Sequence, residues 1–113
     1  MAWDNKGRIY HNLGRFEEAM NCYIEASKID PNYANPWNDR SALLFDHQQY
    51  EKAIEYADRA LEIDPHHREA LWNKGASLKN LGHFDQGLPY IQEAARLGLS
   101  LAENALKEWN ITY

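Results

Sequence analysis

The sequence predicts an all-α solenoid made of three helix-turn-helix repeats followed by a capping helix. Chemically similar residues recur at intervals of 34 and 68 positions, and each interval contains two apolar stripes with helical spacing. A single hairpin cannot bury its apolar face alone, so about three stacked hairpins are needed for a stable core. We expect one domain over residues 1–113, with repeats at about 1–33, 34–67 and 68–98 and the cap at about 99–109.

Columns of like residues carry the 34-residue period. The basic column is Lys6, Arg40 and Lys74; the aromatic column is Phe16, Tyr50 and Phe84; the alanine column is Ala26, Ala60 and Ala94. Small residues let paired helices approach closely, and large aromatic side chains fill the space that remains between them. The columns therefore predict helices that pack in the same way in each repeat.

Two stripes define the helices of the first repeat. The first stripe is Trp3, Gly7, Tyr10 and Gly14, and the second, after a turn, is Ala19, Tyr23, Ala26 and Ile29. Residues three or four positions apart share one face of a helix, so each stripe predicts one amphipathic helix.

The first helix is predicted to begin at Met1 or Ala2 without a capping residue. We therefore expect a piece of a longer array, the alternative being a short protein whose first turn frays.

Prolines mark where the hairpins end and begin. Pro31 and Pro65 each follow an aspartate at the end of a second stripe, where proline cannot continue a helix and pushes the preceding residue out of the helical region. Asn35-Pro36 is typical of a helix start, because proline is tolerated in the first turn. The sequence thus predicts a new helix near residue 35.

The end of the chain departs from the repeat but keeps a helical stripe. This stripe is Leu99, Ala102, Leu106 and Trp109, at positions i, i+3, i+7 and i+10. Polar residues lie on the opposite side, as a terminal element of a solenoid needs for solubility. We therefore predict a capping helix.

Composition excludes several classes of protein. The net charge of -5 has the wrong sign for a nucleic-acid-binding surface, and no apolar run is long enough to span a bilayer. One cysteine and the lack of a secretory signal at the N-terminus favour an intracellular, cytoplasmic protein. No catalytic motif is present, and the five histidines do not converge as metal ligands must. We expect no enzymatic activity, no metal and no cofactor.

The residues of the first repeat also carry a specific resemblance. The matching positions are Trp3, Gly7, Tyr10, Leu13-Gly14, Phe16, Ala19, Tyr23, Ala26 and Asp30-Pro31. In this pattern the chain resembles the tetratricopeptide repeats, a family of 34-residue helix-turn-helix units. The resemblance covers nearly the whole chain and implies a right-handed superhelical solenoid that acts as a scaffold or adaptor. Departures from the pattern include Ser41, which replaces a glycine, and Gly98-Leu99, which replaces the closing Asp-Pro.

In a stacked array the first helix of each hairpin lines a concave groove, which is the usual binding surface of solenoids. The candidate groove residues are Asn5, Arg8, Asn12, Asn38, Asp39, Phe45, Asp46, Trp72, Asn73, Lys79 and Asn80, with Met1 at the start of the same stripe. Two polar ladders, one of them Asn5, Asp39 and Asn73, suit the backbone of an extended peptide, because carboxamides both donate and accept. Solvated polar residues inherited with the repeat would give the same ladders.

Two aromatic residues of the stripe are candidate pocket residues, since aromatic anchors dominate binding energy at interfaces. Phe45 occupies a column that is otherwise polar, which favours exposure to the groove. Trp72 adjoins Leu71, which holds a core column, so both the core and the groove remain open for it.

The charge of the predicted groove bounds its ligand. Its charged residues are Asp4, Asp39, Asp46, Glu69, Arg8 and Lys79, a net charge of -2. We expect a neutral or mildly basic protein or peptide as the partner, bound as an extended segment or as a helix. The alternatives are a structural or self-assembly module, and a fragment of a longer array that regulates an attached enzyme. We expect a monomer or weak self-association.

The best-known activity of the resembled family is a clamp that holds the C-terminal carboxylates of chaperones through lysine, asparagine, asparagine, lysine and arginine. Carried over column by column, only Asn5 matches. The first lysine falls at Met1, the second asparagine at Asp39, the second lysine at Glu69 and the arginine at Asn73. We therefore expect no clamp, and no measurable binding of a peptide with an acidic C-terminal end.

Overall fold

The structure is a computed structural model that describes residues 2–113. Met1, which the sequence places at the edge of the groove and in the clamp comparison, lies outside the described residues. The described part is elongated, with extents of 39 × 25 × 22 Å. No helix in that part is long and apolar enough to cross a membrane.

Residues 2–113 form seven helices in consecutive antiparallel hairpins. The helices are α1 (Ala2–Asn12), α2 (Phe16–Ile29), α3 (Ala34–Asp46), α4 (Tyr50–Ile63), α5 (Arg68–Asn80), α6 (Phe84–Arg96) and α7 (Ser100–Glu108). Each helix packs against the next one along the chain. The predicted all-α solenoid of helix-turn-helix units is confirmed.

Within each hairpin a short turn links the two helices because the backbone reverses through the left-handed region. Gly82 has a φ of 89° in the turn between α5 and α6. Gln48 occupies the same column between α3 and α4 and has a φ of 61°. A side chain in this region costs about 1 kcal/mol relative to glycine, so the tight turn is kept in the second hairpin in spite of local strain.

The two helices of each hairpin cross at small residues. A Cβ added at Gly87 of α6 would clash with the carbonyl oxygen of Gly75 in α5, and one added at Gly75 would lie 2.8 Å from the carbonyl oxygen of Gly87. At the corresponding crossing of α3 and α4, the hydroxyl of Ser41 donates a hydrogen bond of 2.6 Å to the carbonyl of Ala53. The serine that departs from the family pattern therefore binds the facing helix.

Fully buried large side chains fill the layer between the helices. Tyr23 and Leu43 join the first two hairpins, while Ile91 and Leu106 join α6 to α7. A fully buried Leu or Ile contributes about 1.5–3 kcal/mol relative to an exposed one. The seventh helix thus covers apolar surface of the third hairpin, as a cap does.

Buried polar groups also fix the start of α5. His67 precedes this helix, and its Nδ1 accepts a hydrogen bond of 3.2 Å from the backbone amide of Ala70. Because Nδ1 is the acceptor, Nε2 carries the proton and donates to Asn35 Oδ1 at 2.7 Å. The side chain therefore caps α5 and ties it to the first turn of α3.

Candidate functional site

The first helices of the hairpins form a continuous layer. Helix α3 contacts both α1 and α5 directly, in addition to its contacts with α2 and α4. We call the surface formed by α1, α3, α5 and the start of α7 the inner groove. It is the face on which the sequence places the candidate binding residues.

A hollow of about 270 Å³ opens on the inner groove between α3, α5 and the start of α7. We call it the apolar hollow, and its apolar lining is Ala42, Phe45, Trp72, Leu99 and Leu101. Its polar lining is Asn38, Asp46, Glu69 and Asn73. Five of the eleven residues proposed from sequence therefore meet at one place, and all five come from α3 and α5.

The two aromatic candidates both line the hollow but differ in their surroundings. The Phe45 ring is half-buried and meets the Tyr50 ring edge to face, with 5.5 Å between the centroids. Trp72 is also half-buried and packs against the core cluster that contains Leu71 and Ile91. Trp72 therefore contributes to both the core and the groove, the two positions that the sequence left open.

The polar ladders divide into exposed and buried members. Asn5, Asn12 and Asn80 are exposed. Asn73 is buried and donates its amide to Asn38 Oδ1 at 2.7 Å, so this pair joins α3 to α5 at the floor of the groove. The sequence assigns these amides to a bound peptide, but two of them bond to each other between helices. Peptide contact by the ladder residues stays a prediction.

The remaining charged candidates are paired with neighbours along the groove. Asp46 bonds His11 Nε2 at 2.6 Å and so links α3 to α1. The ammonium of Lys79 lies 5.4 Å from the centroid of the Trp109 ring, which draws it toward the cap. Asp46 nevertheless keeps about half of its side chain exposed, at 55%.

Buried carboxyl groups lie at the α1 end of the groove. Asp39 of α3 is 8% exposed and Asp4 of α1 is 3% exposed, and each has one carboxyl oxygen without a hydrogen-bond partner within residues 2–113. Burial raises the pKa of Asp39 to about 7, and the guanidinium of Arg8, 3.7 Å from Oδ1, opposes this shift. Burial raises the pKa of Asp4 as well. Near neutral pH, Asp39 is therefore only partly charged.

Two features of the site were missed in the sequence. Leu101 lies outside the predicted stripe of the cap and is 55% exposed, yet it lines the apolar hollow. Leu99 was assigned to the buried face of the cap alone, but it lines the hollow too. In the 34-residue register Leu99 and Leu101 correspond to Pro65 and His67, which precede α5 and lie outside the groove stripe. The period therefore gave no signal for either contact.

A larger hollow, about 560 Å³, lies between α7 and residues 110–113. Its lining shares no residue with the apolar hollow, and the segment on one side of it has no regular secondary structure. We favour the smaller hollow as the binding site because three helical elements fix its walls. Among residues 2–113 no group of three or more metal-binding side chains comes together.

Comparison with protein families identifies the repeat. A model described as "TPR repeat" matches residues 7–47, and one described as "Tetratricopeptide repeat" matches residues 34–67, so that together they span more than half of the chain. The chain belongs to the tetratricopeptide repeat family. The search of curated proteins found no match to this TPR protein.

Solved TPR domains share the fold. The first TPR of Spaghetti (RPAP3), bound to the HSP90 peptide SRMEEVD, is 20% identical with a TM-score of 0.88, covering 95% of this chain and 89% of that one. The first TPR domain of human RPAP3 is 20% identical with a TM-score of 0.87, covering 94% and 85%. The Arabidopsis OM64 TPR domain is 20% identical with a TM-score of 0.83, covering 95% and 93%. At these identities the likeness shows the TPR fold alone.

Proposed function

We propose that this TPR protein is a non-catalytic interaction scaffold that holds an extended peptide or a partner helix in its inner groove. The observation that carries the proposal is the apolar hollow, where Phe45, Trp72 and Leu101 leave apolar surface open beside polar groups. Such a combination is typical of interface sites, in which buried aromatic anchors supply most of the binding energy and polar groups set orientation.

The charge of the groove favours a neutral or mildly basic partner. Asp46 and Glu69 are about half exposed at the hollow, and Asp39 lies deeper in the same groove. The nearby cations are Arg8, 3.7 Å from Asp39, Arg68, 3.6 Å from Glu69, and Lys79, near Trp109. The residues within 2–113 that line the hollow itself include Asp46 and Glu69 but no lysine or arginine. Complementary charge speeds association and suppresses partners of the wrong sign, so a basic segment is the better guest.

Selection from a random peptide library displayed on phage tests the proposal. We expect the parent chain to enrich peptides with apolar and basic residues, and the double variant Phe45→Ala/Leu101→Ser to lose them while keeping a cooperative thermal transition. Ile29→Ser is the matched control, because Ile29 of α2 is 58% exposed and lies outside the hollow. Failure of the parent to enrich any peptide class, or equal enrichment by the double variant, would contradict the proposal.

The peptide SRMEEVD, which occupies the Spaghetti (RPAP3) TPR domains, provides a second test. It carries two glutamates and a C-terminal aspartate, whereas the groove of this chain presents Asp46 and Glu69. We expect no measurable binding by isothermal titration calorimetry at 0.15 M salt, where the Debye length is about 8 Å and charges in one groove still interact. A submicromolar Kd would contradict the claim that the charge of the groove disfavours acidic peptides.

A self-assembly role is the second candidate, and one observation favours it. Ile9 of α1 and Leu13, directly after α1, are 60% and 66% exposed. They lie four positions apart on the same side, and the amide of Leu13 donates to the carbonyl of Ile9 at 3.1 Å. Sedimentation equilibrium separates the two functions, since a mass that rises with concentration and falls back in Leu13→Ser would favour assembly through α1.

A further inference from the structure

We propose that the apolar hollow selects one bulky apolar side chain that stands beside a lysine or arginine in the bound peptide. This inference rests on the proposed function, because it names the class of segment that the groove accepts. It follows from the size of the hollow, the exposed apolar surface within it and the two carboxylates at its edge.

The size of the hollow fits a side chain. Its volume of about 270 Å³ is below the roughly 300–1,000 Å³ of sites that enclose a small-molecule ligand. Its walls come from α3, α5 and the start of α7, so the position of the hollow along the groove is fixed by helix packing. An aliphatic or aromatic residue of a peptide lying in the groove would enter it from the open side.

Apolar surface in the hollow is left uncovered by residues 2–113. Leu101 is 55% exposed, although the neighbouring Ala102 is fully buried. Trp72 of α5 and Leu99 at the start of α7 are half-buried in the same lining. A guest side chain would remove part of this surface from water, which is the main favourable term in most protein associations.

Two carboxylates define what stands next to that side chain. Asp46 of α3 and Glu69 of α5 both line the hollow, and their side chains are 55% and 49% exposed. Lys or Arg beside the apolar residue would therefore meet negative charge from two helices. Glutamate or aspartate at the same position would meet like charge, which costs affinity.

The groups that already contact these carboxylates leave room for a guest cation. Arg68 Nε is 3.6 Å from Glu69 Oε2, but the same guanidinium donates from Nη1 to the carbonyl of Leu97 at 3.0 Å and stays about half exposed. Within residues 2–113 Asp46 forms one side-chain hydrogen bond, between its Oδ2 and His11. Exposed pairs of this kind contribute little, so a peptide cation can compete with them.

Four pools of fluorescein-labelled dodecapeptides test the inference by fluorescence anisotropy on the full chain. Each pool has randomised flanks and a central pair, in both orders, of Leu with Arg, Leu with Ala, Leu with Glu, or Ala with Arg. We expect the parent to bind the Leu/Arg pool about tenfold more tightly than the Leu/Glu pool, which corresponds to about 1.4 kcal/mol. The affinity for the Leu/Ala pool should lie between these two, and the Ala/Arg pool should bind more weakly than the Leu/Arg pool.

Variants assign the two parts of the preference. Asp46→Asn/Glu69→Gln should bind the Leu/Arg and Leu/Glu pools within about twofold of each other, while Glu51→Gln/Asp85→Asn, exposed carboxylates of α4 and α6, should keep the parent preference. Leu101→Ser should reduce the affinity for the Leu/Arg pool to that for the Ala/Arg pool, whereas Ile29→Ser, at an exposed position of α2 outside the hollow, should not.

The outcomes separate this inference from the proposed function. Binding by the parent without a charge preference, or with a preference that survives Asp46→Asn/Glu69→Gln, overturns the inference and leaves the scaffold function standing. Peptide binding that is insensitive to Leu101→Ser overturns the assignment of the hollow. If no pool binds the parent and the phage selection also fails, the proposed function itself is wrong.

Discussion

Gly87→Ala lowers the free energy of unfolding by about 2 kcal/mol and the melting temperature by about 10 °C, because overpacking against backbone atoms costs about 3 kcal/mol, the upper end of the usual range. The added methyl would clash with the carbonyl oxygen of Gly75 and lie 3.1 Å from Leu78 Cβ. Backbone atoms of α5 cannot rotate away as a flexible side chain can. Alanine gains about 1 kcal/mol of helix propensity, which offsets only part of this cost.

The column pattern alone leads to the opposite expectation for Gly87. Ala19 and Ala53 occupy the same column in the other hairpins, so alanine would be counted as acceptable there. Thermal unfolding followed by circular dichroism distinguishes the two views, with Gly82→Ala as the control for replacing glycine. Gly82→Ala should lower the free energy of unfolding by only about 1 kcal/mol, because Gly82 has open space around it and the cost comes from its positive φ alone. A Gly87→Ala variant as stable as the parent would contradict the close approach of α5 and α6.

Asp39→Asn raises the free energy of unfolding at pH 7–8 by about 2 kcal/mol, and the gain disappears as the pH falls to 4. The pKa of Asp39 is about 7 in the folded chain, against an ordinary value of 3.8, because the carboxyl is buried. Between these values the folded state holds a proton that the unfolded state has released, so stability decreases as the pH rises from about 4 to 7 and levels off above 7. The full linkage is on the order of 4 kcal/mol, and asparagine recovers only part of it because a buried polar group remains.

Arg8→Met is the companion of Asp39→Asn in this experiment. The guanidinium of Arg8 lowers the pKa of Asp39, so its removal should extend the loss of stability to higher pH. Urea unfolding of the parent and both variants at pH 4–9 gives the differences directly. If the free energies of unfolding of the parent and of Asp39→Asn differed by the same amount at every pH in this range, the raised pKa would be contradicted.

The helices could be predicted from sequence because their signals are local. Apolar stripes and prolines are signals that depend on residues within a few positions of each other. The structure places Pro31 and Pro65 between helices and Pro36 in the first turn of α3. The family pattern then orders the hairpins, since a repeat places equivalent residues in equivalent positions. For these reasons the sequence alone predicts the fold class and the layer formed by the first helices of the hairpins.

The chemistry of the inner groove was less accessible because it depends on contacts between repeats. Asn38 and Asn73 are 35 positions apart and bond to each other, but a polar column gives no indication of whether its amides meet a neighbouring helix or a ligand. Asp39 shares its column with the polar residues Asn5 and Asn73, yet only 8% of it stays exposed once α1, α3 and α5 pack together. Leu101 joins the hollow from the start of α7, and the equivalent position one period earlier is His67, which precedes α5 and is not a groove residue of the predicted stripe.

Chemical-shift mapping tests the central claim that the inner groove is the binding surface. The ¹⁵N-labelled chain would be titrated with a basic dodecapeptide recovered from the phage selection, and amide shifts followed for each residue. The account predicts the largest shifts in α3, in α5 and at the start of α7, around Phe45, Trp72 and Leu101. Shifts confined to α2, α4 and α6, or to residues 110–113, would contradict it.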